Sequence, residues 1–174
     1  ALTSLFARHD DAVFDYLSFR RDMEGLAAER AAKLGSQTDL DVINTVFQKM
    51  QTAHNTNAPG EEAQLDADFH LAIIEASHNV IMLHMMRSMY QLLREGVFYN
   101  RQVMFKQRMT RDALLEQHAK INDALQARDP IKARAAIVTH LSFVESALRD
   151  DVKAQANELI AQQRYEHEKT RGRK

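Results

Sequence analysis

Asp66 and His70 stand four residues apart in the stretch DADFHLAIIEASHN, residues 66–79, whose other residues read as a helix built to be buried. A helix advances about 100° per residue, so with Phe69 at zero, Leu65, Ala72, Ile73 and Ala76 share one apolar stripe within roughly 60°. Asp66 falls at about +60° and His70 at about +100°, so both face inward or nearly so, while Asp68 and Glu75 fall on the solvent side. Two more histidines are placed alike. His118 is central among Leu114, Leu115, Ile121 and Leu125, and His140 among Ala136, Ile137, Phe143, Val144 and Ala147. A single inward histidine reads more readily as a hydrogen-bonded core residue than as a ligand or base, and Asp66 with His70 alone fits a buried acid–imidazole pair as well as a metal site. Three inward imidazoles and one carboxylate on three helices read differently, because a divalent cation would satisfy all four at once. Neutral imidazole and carboxylate suit zinc, nickel, iron or manganese, and four protein ligands leave room for water or an anion. The remaining histidines are weaker candidates. His9, His54 and His167 sit in polar surroundings and read as solvated, and His78 and His84 flank an apolar helix as surface or capping residues.

The elements that must position these side chains are helical. The chain has 174 residues, 45% of them hydrophobic, with five glycines and two prolines, which suits one domain with a real core and few breaks. Helix formers dominate and strand-like alternation is absent, so the expected fold is an all-α antiparallel bundle of about six to seven helices around a central metal or ligand cavity. A first helix is expected over 13–34 with Gly35 as its C-cap, and Phe14, Leu17, Met23, Leu26, Ala27 and Ala31 as its core positions. Thr38 is the expected N-cap of the second. Residues 55–60 form the clearest loop, Asn79 a break before an apolar helix that continues, bent, through Phe105, and Pro130 opens the last helix. Residues 156–174 read as a basic, polar tail whose final stretch, QQRYEHEKTRGRK, is expected to fray. The 23 basic and 24 acidic residues give a formal charge of −1, which argues against a broad nucleic-acid-binding face. With no cysteine there is neither disulfide nor thiolate site, and no apolar run approaches the roughly 18 residues of a membrane span. A cytoplasmic location is expected.

The pattern D-x-x-x-H in DADFHLAIIEASHN, a histidine in LLEQHAKINDAL and another 22 positions later in ARAAIVTHLSFVESAL resembles the FCD ligand-binding domain of FadR-type regulators in the GntR superfamily. FDYLSFRRDMEGLAAERAA resembles that family's first helix, with Ser18 where an acidic residue is frequent. The likeness covers about 14–148, and the wording EASHNVIMLHMMRSM looks closest to members that respond to pyruvate, lactate or glycolate. The resemblance implies that Asp66, His70, His118 and His140 bind the metal and that Arg20 faces the same cavity as a carboxylate clamp. Asn79 then either contacts ligand or caps the next helix, and Arg20 read from its neighbours alone is one of two adjacent surface arginines. Residues 1–12 look like an interdomain linker or short helix, 13–155 like the ligand-binding and dimerisation domain. The family's winged-helix DNA-binding domain has no room before Phe14.

The reading is thus a homodimeric sensor of a small organic acid, with operator DNA as a partner through an N-terminal domain and no membrane partner. The rival is a His/Asp metal-dependent enzyme in a helical bundle, and third comes a plain interaction module with satisfied core histidines.

Overall fold

Six helices account for nearly all of residues 12–92 and 108–171, which are the residues the computed structural model describes, and no strand occurs among them. They are α1 (Ala12–Leu34), α2 (Gln37–Asn55), α3 (Pro59–Ala76), α4 (Val80–Leu92), α5 (Arg108–Gln126) and α6 (Pro130–Arg171). The chain divides into two compact units, Ala1–Ser142 and Phe143–Lys174. Residues 1–11, expected to form a linker or short helix, and the expected continuation of α4 through Phe105 lie outside the described residues.

Several helix boundaries have a local cause. Helix α1 ends where Gly35 N–H bonds back to Ala31 O at 2.9 Å, and a Cβ at Gly35 would stand 2.5 Å from that carbonyl, so only glycine fits there. The N-cap of α2 is Ser36 rather than the expected Thr38. Ser36 Oγ accepts from Asp39 N–H and Asp39 Oδ2 accepts from Ser36 N–H at 2.7 Å, a reciprocal box that requires the three-residue spacing from Ser36 to Asp39. Between α2 and α3 the loop shortens to residues 56–58. Asn57 turns it at φ 55, in the left-handed region that asparagine tolerates. Pro59 opens α3 and Pro130 opens α6, where a missing N–H costs nothing. Asn79 Oδ1 accepts from Met82 N–H at 3.1 Å and thereby caps α4. The tail does not fray as expected: α6 stays helical to Arg171.

The core of the first unit packs the alanine face of α1 (Ala28, Ala31, Ala32) against Leu40, Ile43 and Phe47 of α2, Phe69 and Ile73 of α3, Ile121 and Leu125 of α5 and Ile137 of α6. Small side chains on α1 let the helices approach closely. Phe69, fully buried, is worth roughly 1.5–3 kcal/mol on its own. Since Phe69 and Ile73 anchor that face of α3, their neighbours Asp66 and His70 are carried inside with them. In the second unit α6 continues as a helix that exposes Val152, Leu159, Ile160 and Tyr165. Among the described residues no helix is long and apolar enough to cross a membrane.

Candidate metal centre

Helices α3, α5 and α6 bring Asp66, His70, His118 and His140 together, all buried, with one potential ligand atom from each lying within 4.8 Å of all the others. His118 Nε2 is 3.0 Å from Asp66 Oδ1 and 3.4 Å from His70 Nε2, and His70 Nε2 is 3.8 Å from Asp66 Oδ1. The rings of His70 and His140 stack with centroids 5.1 Å apart, and His118 and His140 lie 4.4 Å apart. Spacings of this kind follow from the helical period. Asp66 and His70 are one turn apart on α3, and each of the other two is the central residue of its own apolar face.

Two outer side chains orient the rings. Glu24 Oε2 of α1 meets His70 Nδ1 at 2.7 Å, a short contact that is not a straight hydrogen bond, and Gln117 Oε1 accepts from His140 Nδ1 at 2.9 Å. Each leaves the Nε2 lone pair for the centre. Burial pushes the His70 imidazole down despite the nearby Glu24 and Asp66 charges, and pushes His140 well down, helped by His118 and His70. Neutral imidazoles result, which is the form a metal requires. His118 Nδ1 is buried with no hydrogen-bond partner. Three buried imidazoles and one carboxylate, closed in on one another with ring nitrogens still unsatisfied, fit a divalent transition metal better than a self-sufficient polar core.

Arg20 of α1 is 2% exposed. Its Nε lies 2.6 Å from Glu24 Oε1, its Nη2 donates to Glu24 Oε2 at 3.3 Å and to Tyr90 O–H at 2.9 Å, and its guanidinium sits 5.9 and 5.2 Å from the ring centres of Tyr16 and Tyr90. Burial opposes the charge on Glu24, but Arg20 first and then His70 hold its carboxyl well below the usual carboxylate range. Arg20 thus reaches the centre through Glu24 and His70, and Nη1 is the nitrogen its protein partners leave for an outside acceptor. Asn79 is occupied by its cap bond to Met82.

A family model for the FCD domain matches residues 15–143. The chain belongs to the FCD domain family. It is 36% identical over 148 residues to an L-lactate dehydrogenase operon regulatory protein of Escherichia coli (strain K12), covering 85% of this chain and 56% of that protein. It is 33% identical over 162 residues to the Glc operon transcriptional activator of Escherichia coli (strain K12), covering 91% and 63%, and 31% identical over 146 residues to the HTH-type transcriptional regulator LutR of Bacillus subtilis (strain 168), covering 83% and 65%. The FCD chain therefore spans between 56% and 65% of the length of these relatives. Among solved structures, E. coli McbR/YncC superimposes with a TM-score of 0.68 at 18% identity over 80% of this chain and 65% of that one. Streptococcus agalactiae GntR superimposes with a TM-score of 0.59 at 21% identity over 76% and 57%. At such identities these two likenesses show a common fold.

Residues of the FCD domain's polar interior missed in the sequence include Glu24, Tyr90 and Gln117, together with the buried Glu62 and Arg111. A signal existed for Glu24. With Ala27 at zero, Arg20 falls at about +20° and Glu24 at about +60°, on the alanine stripe, so their spacing marks a paired, inward-facing arginine and glutamate. His54, expected to be solvated, is only 18% exposed at its side chain and lies 3.4 Å from Glu62 and 3.0 Å from Asp112.

Proposed function

We propose that this FCD domain is the effector-sensing and dimerisation domain of a transcription regulator, and that it binds a short carboxylic acid at a divalent metal held by Asp66, His70, His118 and His140. The observation that carries the reading is the convergence of those four buried donors. A divalent ion with three neutral imidazoles and one carboxylate retains a net charge of about +1, and its open positions accept an anionic oxygen. The metal supplies that Lewis-acid anchor when bound. The chain's residues do the rest: Glu24 and Gln117 orient the rings, the surrounding Phe69 and Ile73 exclude water, and Arg20 offers Nη1 to a second oxygen of the acid. The relatives support such a role, since the matched proteins are named as regulators rather than enzymes, which argues against the metal-dependent enzyme alternative. In the whole protein, two copies would pair and place two N-terminal winged-helix domains on two-fold related operator half-sites.

Because Nε and Nη2 of Arg20 already serve Glu24 and Tyr90, the clamp is expected to act through one terminal nitrogen rather than a bidentate fork. Calorimetry with L-lactate, pyruvate, glycolate and citrate on the zinc-loaded domain tests this. At least one acid should bind, its heat should vanish on chelation, and Arg20→Lys, which keeps a charge for Glu24 while removing the planar fork, should weaken it by about 10-fold, or about 1.4 kcal/mol. Binding that survives chelation and the lysine variant alike would mean that the cavity reads something else.

A further inference from the structure

The outer edges of the three histidines are unequally supported. Gln117 meets Nδ1 of His140 at 2.9 Å, and Nδ1 of His70, though without a straight hydrogen bond, has the Glu24 carboxylate 2.7 Å away, whereas Nδ1 of His118 is buried with no hydrogen-bond partner and no such carboxylate contact. The inner edge of His118 is committed, with Nε2 at 3.0 Å from Asp66 and 3.4 Å from His70, so Nε2 is the nitrogen that reaches a shared ion. A neutral imidazole that gives Nε2 to a metal carries its proton on Nδ1, and a buried N–H needs an acceptor.

Beside His118 lies a recess whose other walls are Met50, Glu62, Arg111 and Leu115, with room for about one water-sized group. Among the side chains leucine offers no acceptor, arginine only donors and methionine a weak sulfur, so the strong side-chain acceptor in that recess is Glu62, which precedes Asp66 by one turn of α3. Arg111 holds the Glu62 carboxylate through Nε to Oε2 at 3.1 Å and Nη2 to Oε1, and His54 Nδ1 stands 3.4 Å from Oε2. These contacts use three of a carboxylate's roughly four acceptor positions. One remains.

We propose that the recess is a one-water site and that Glu62 is the positioning residue of His118, receiving its Nδ1–H through that water. Glu62 does for His118 what Glu24 does for His70, at one remove. This inference rests on the metal-centre reading of the previous subsection, and it concerns a different residue and a different helix turn.

The test uses the zinc-loaded domain, with competition titration for zinc affinity and proton NMR of the imidazole ring N–H signals. The His118 signal is assigned by its loss in His118→Gln. Glu62→Gln, with a neutral and weaker acceptor, should shift that one signal upfield and speed its exchange with water, leave those of His70 and His140 in place, and weaken zinc about 10-fold. Arg111→Lys preserves the Glu62 charge and should retain the His118 signal, which separates positioning of the ring from loss of the Glu62–Arg111 tie. A parent domain that takes up no zinc overturns both readings. A parent that binds zinc but whose His118 signal and affinity ignore Glu62→Gln overturns this one alone. So does a His118 proton shifted by the ring current of Phe69, whose centroid is 5.3 Å away at 90°, since that would place the N–H over an aromatic face.

Discussion

Two buried arginine–glutamate pairs flank the centre, and they are built for different work. Arg20 and Glu24 belong to one helix, four residues apart, and their carboxylate touches His70 of the four-residue cluster directly. Arg111 and Glu62 come from α5 and α3, and Arg111 also donates to Asn57 Oδ1 and to the His54 carbonyl, so this pair ties the turn between α2 and α3 to the start of α5. The first pair is nearly closed on itself: beyond Glu24, Arg20 has two aromatic faces and a single neutral acceptor, the Tyr90 hydroxyl. The second has spare acceptors. An identical pair of residue types thus meets a clustered imidazole directly in one place, while in the other it staples chain segments and reaches His118 only through the proposed water, and the difference lies in what else each arginine can reach.

The largest effect should come from removing Glu24. Glu24→Ala leaves a fully buried guanidinium without a counter-charge, which costs about 3–5 kcal/mol. Glu62→Ala leaves Arg111 with Asn57 and the His54 carbonyl, so about 1–3 kcal/mol is expected. Denaturant unfolding of the two variants without metal checks the order, and equal losses would mean that the spare acceptors of Arg111 contribute nothing.

Metal binding should separate the pairs next. Zinc at about 100 times its dissociation constant should add about 2.7 kcal/mol to the stability of the parent, and His140→Ala should lose most of that gain. Glu24→Gln should weaken zinc by about 10- to 100-fold, because the carboxylate orienting His70 is gone, while Arg111→Lys leaves affinity unchanged. A competition titration in which Arg111→Lys weakens zinc as much as Glu24→Gln would erase the distinction.

A smaller effect is expected at Tyr90, whose hydroxyl donates to Glu24 at 2.8 Å and accepts from Arg20 at 2.9 Å. Tyr90→Phe keeps the ring against Arg20 and removes the hydroxyl, for about 1 kcal/mol of stability. Thermal melts of the zinc-free proteins measure it, and an unchanged midpoint would show that Glu24 and Arg20 hold one another without help from α4.

The same contrast explains which parts of the molecule could be read from sequence. The four donors were readable because each sits on an apolar helical face, where an ionisable residue stands out. Gly35 and Pro130 marked their boundaries because their backbone chemistry allows few other uses. The inward face of α1 was misplaced in part: Met23 is half-buried and Leu26 is 38% exposed, while Arg20 and Glu24 are buried. Apolar periodicity assigns hydrocarbon to the interior, and a neutralised ion pair occupies interior space without leaving a hydrophobic mark. Gln117 and Tyr90 were hidden for another reason, since each finds its partner on a different helix and no local spacing encodes that meeting.

The smallest expected effect lies at the solvent-side counterpart of these buried pairs, the box at the start of α2. Asp39 has its carboxyl held below the usual range by the Ser36 hydroxyl first, against the opposing effect of burial, with the Ser36 backbone N–H and then His78 adding to the lowering. A carboxyl whose folded value is depressed contributes stability above its unfolded value of about 3.9 and loses it as pH falls through the folded value. Ser36→Ala should therefore cost about 1 kcal/mol at pH 7, for the cap bond to Asp39 N–H together with the hydroxyl's support of the carboxylate. On acidification below the usual carboxylate range the second part disappears from the parent as well, so the gap between parent and variant should narrow without closing. Urea midpoints of both proteins measured from pH 7 down to about pH 3 trace that gap. A gap that stays constant would assign the whole effect to the backbone cap and none to the charge on Asp39, whereas at Glu24 the charge, closed in with Arg20, carries the larger share.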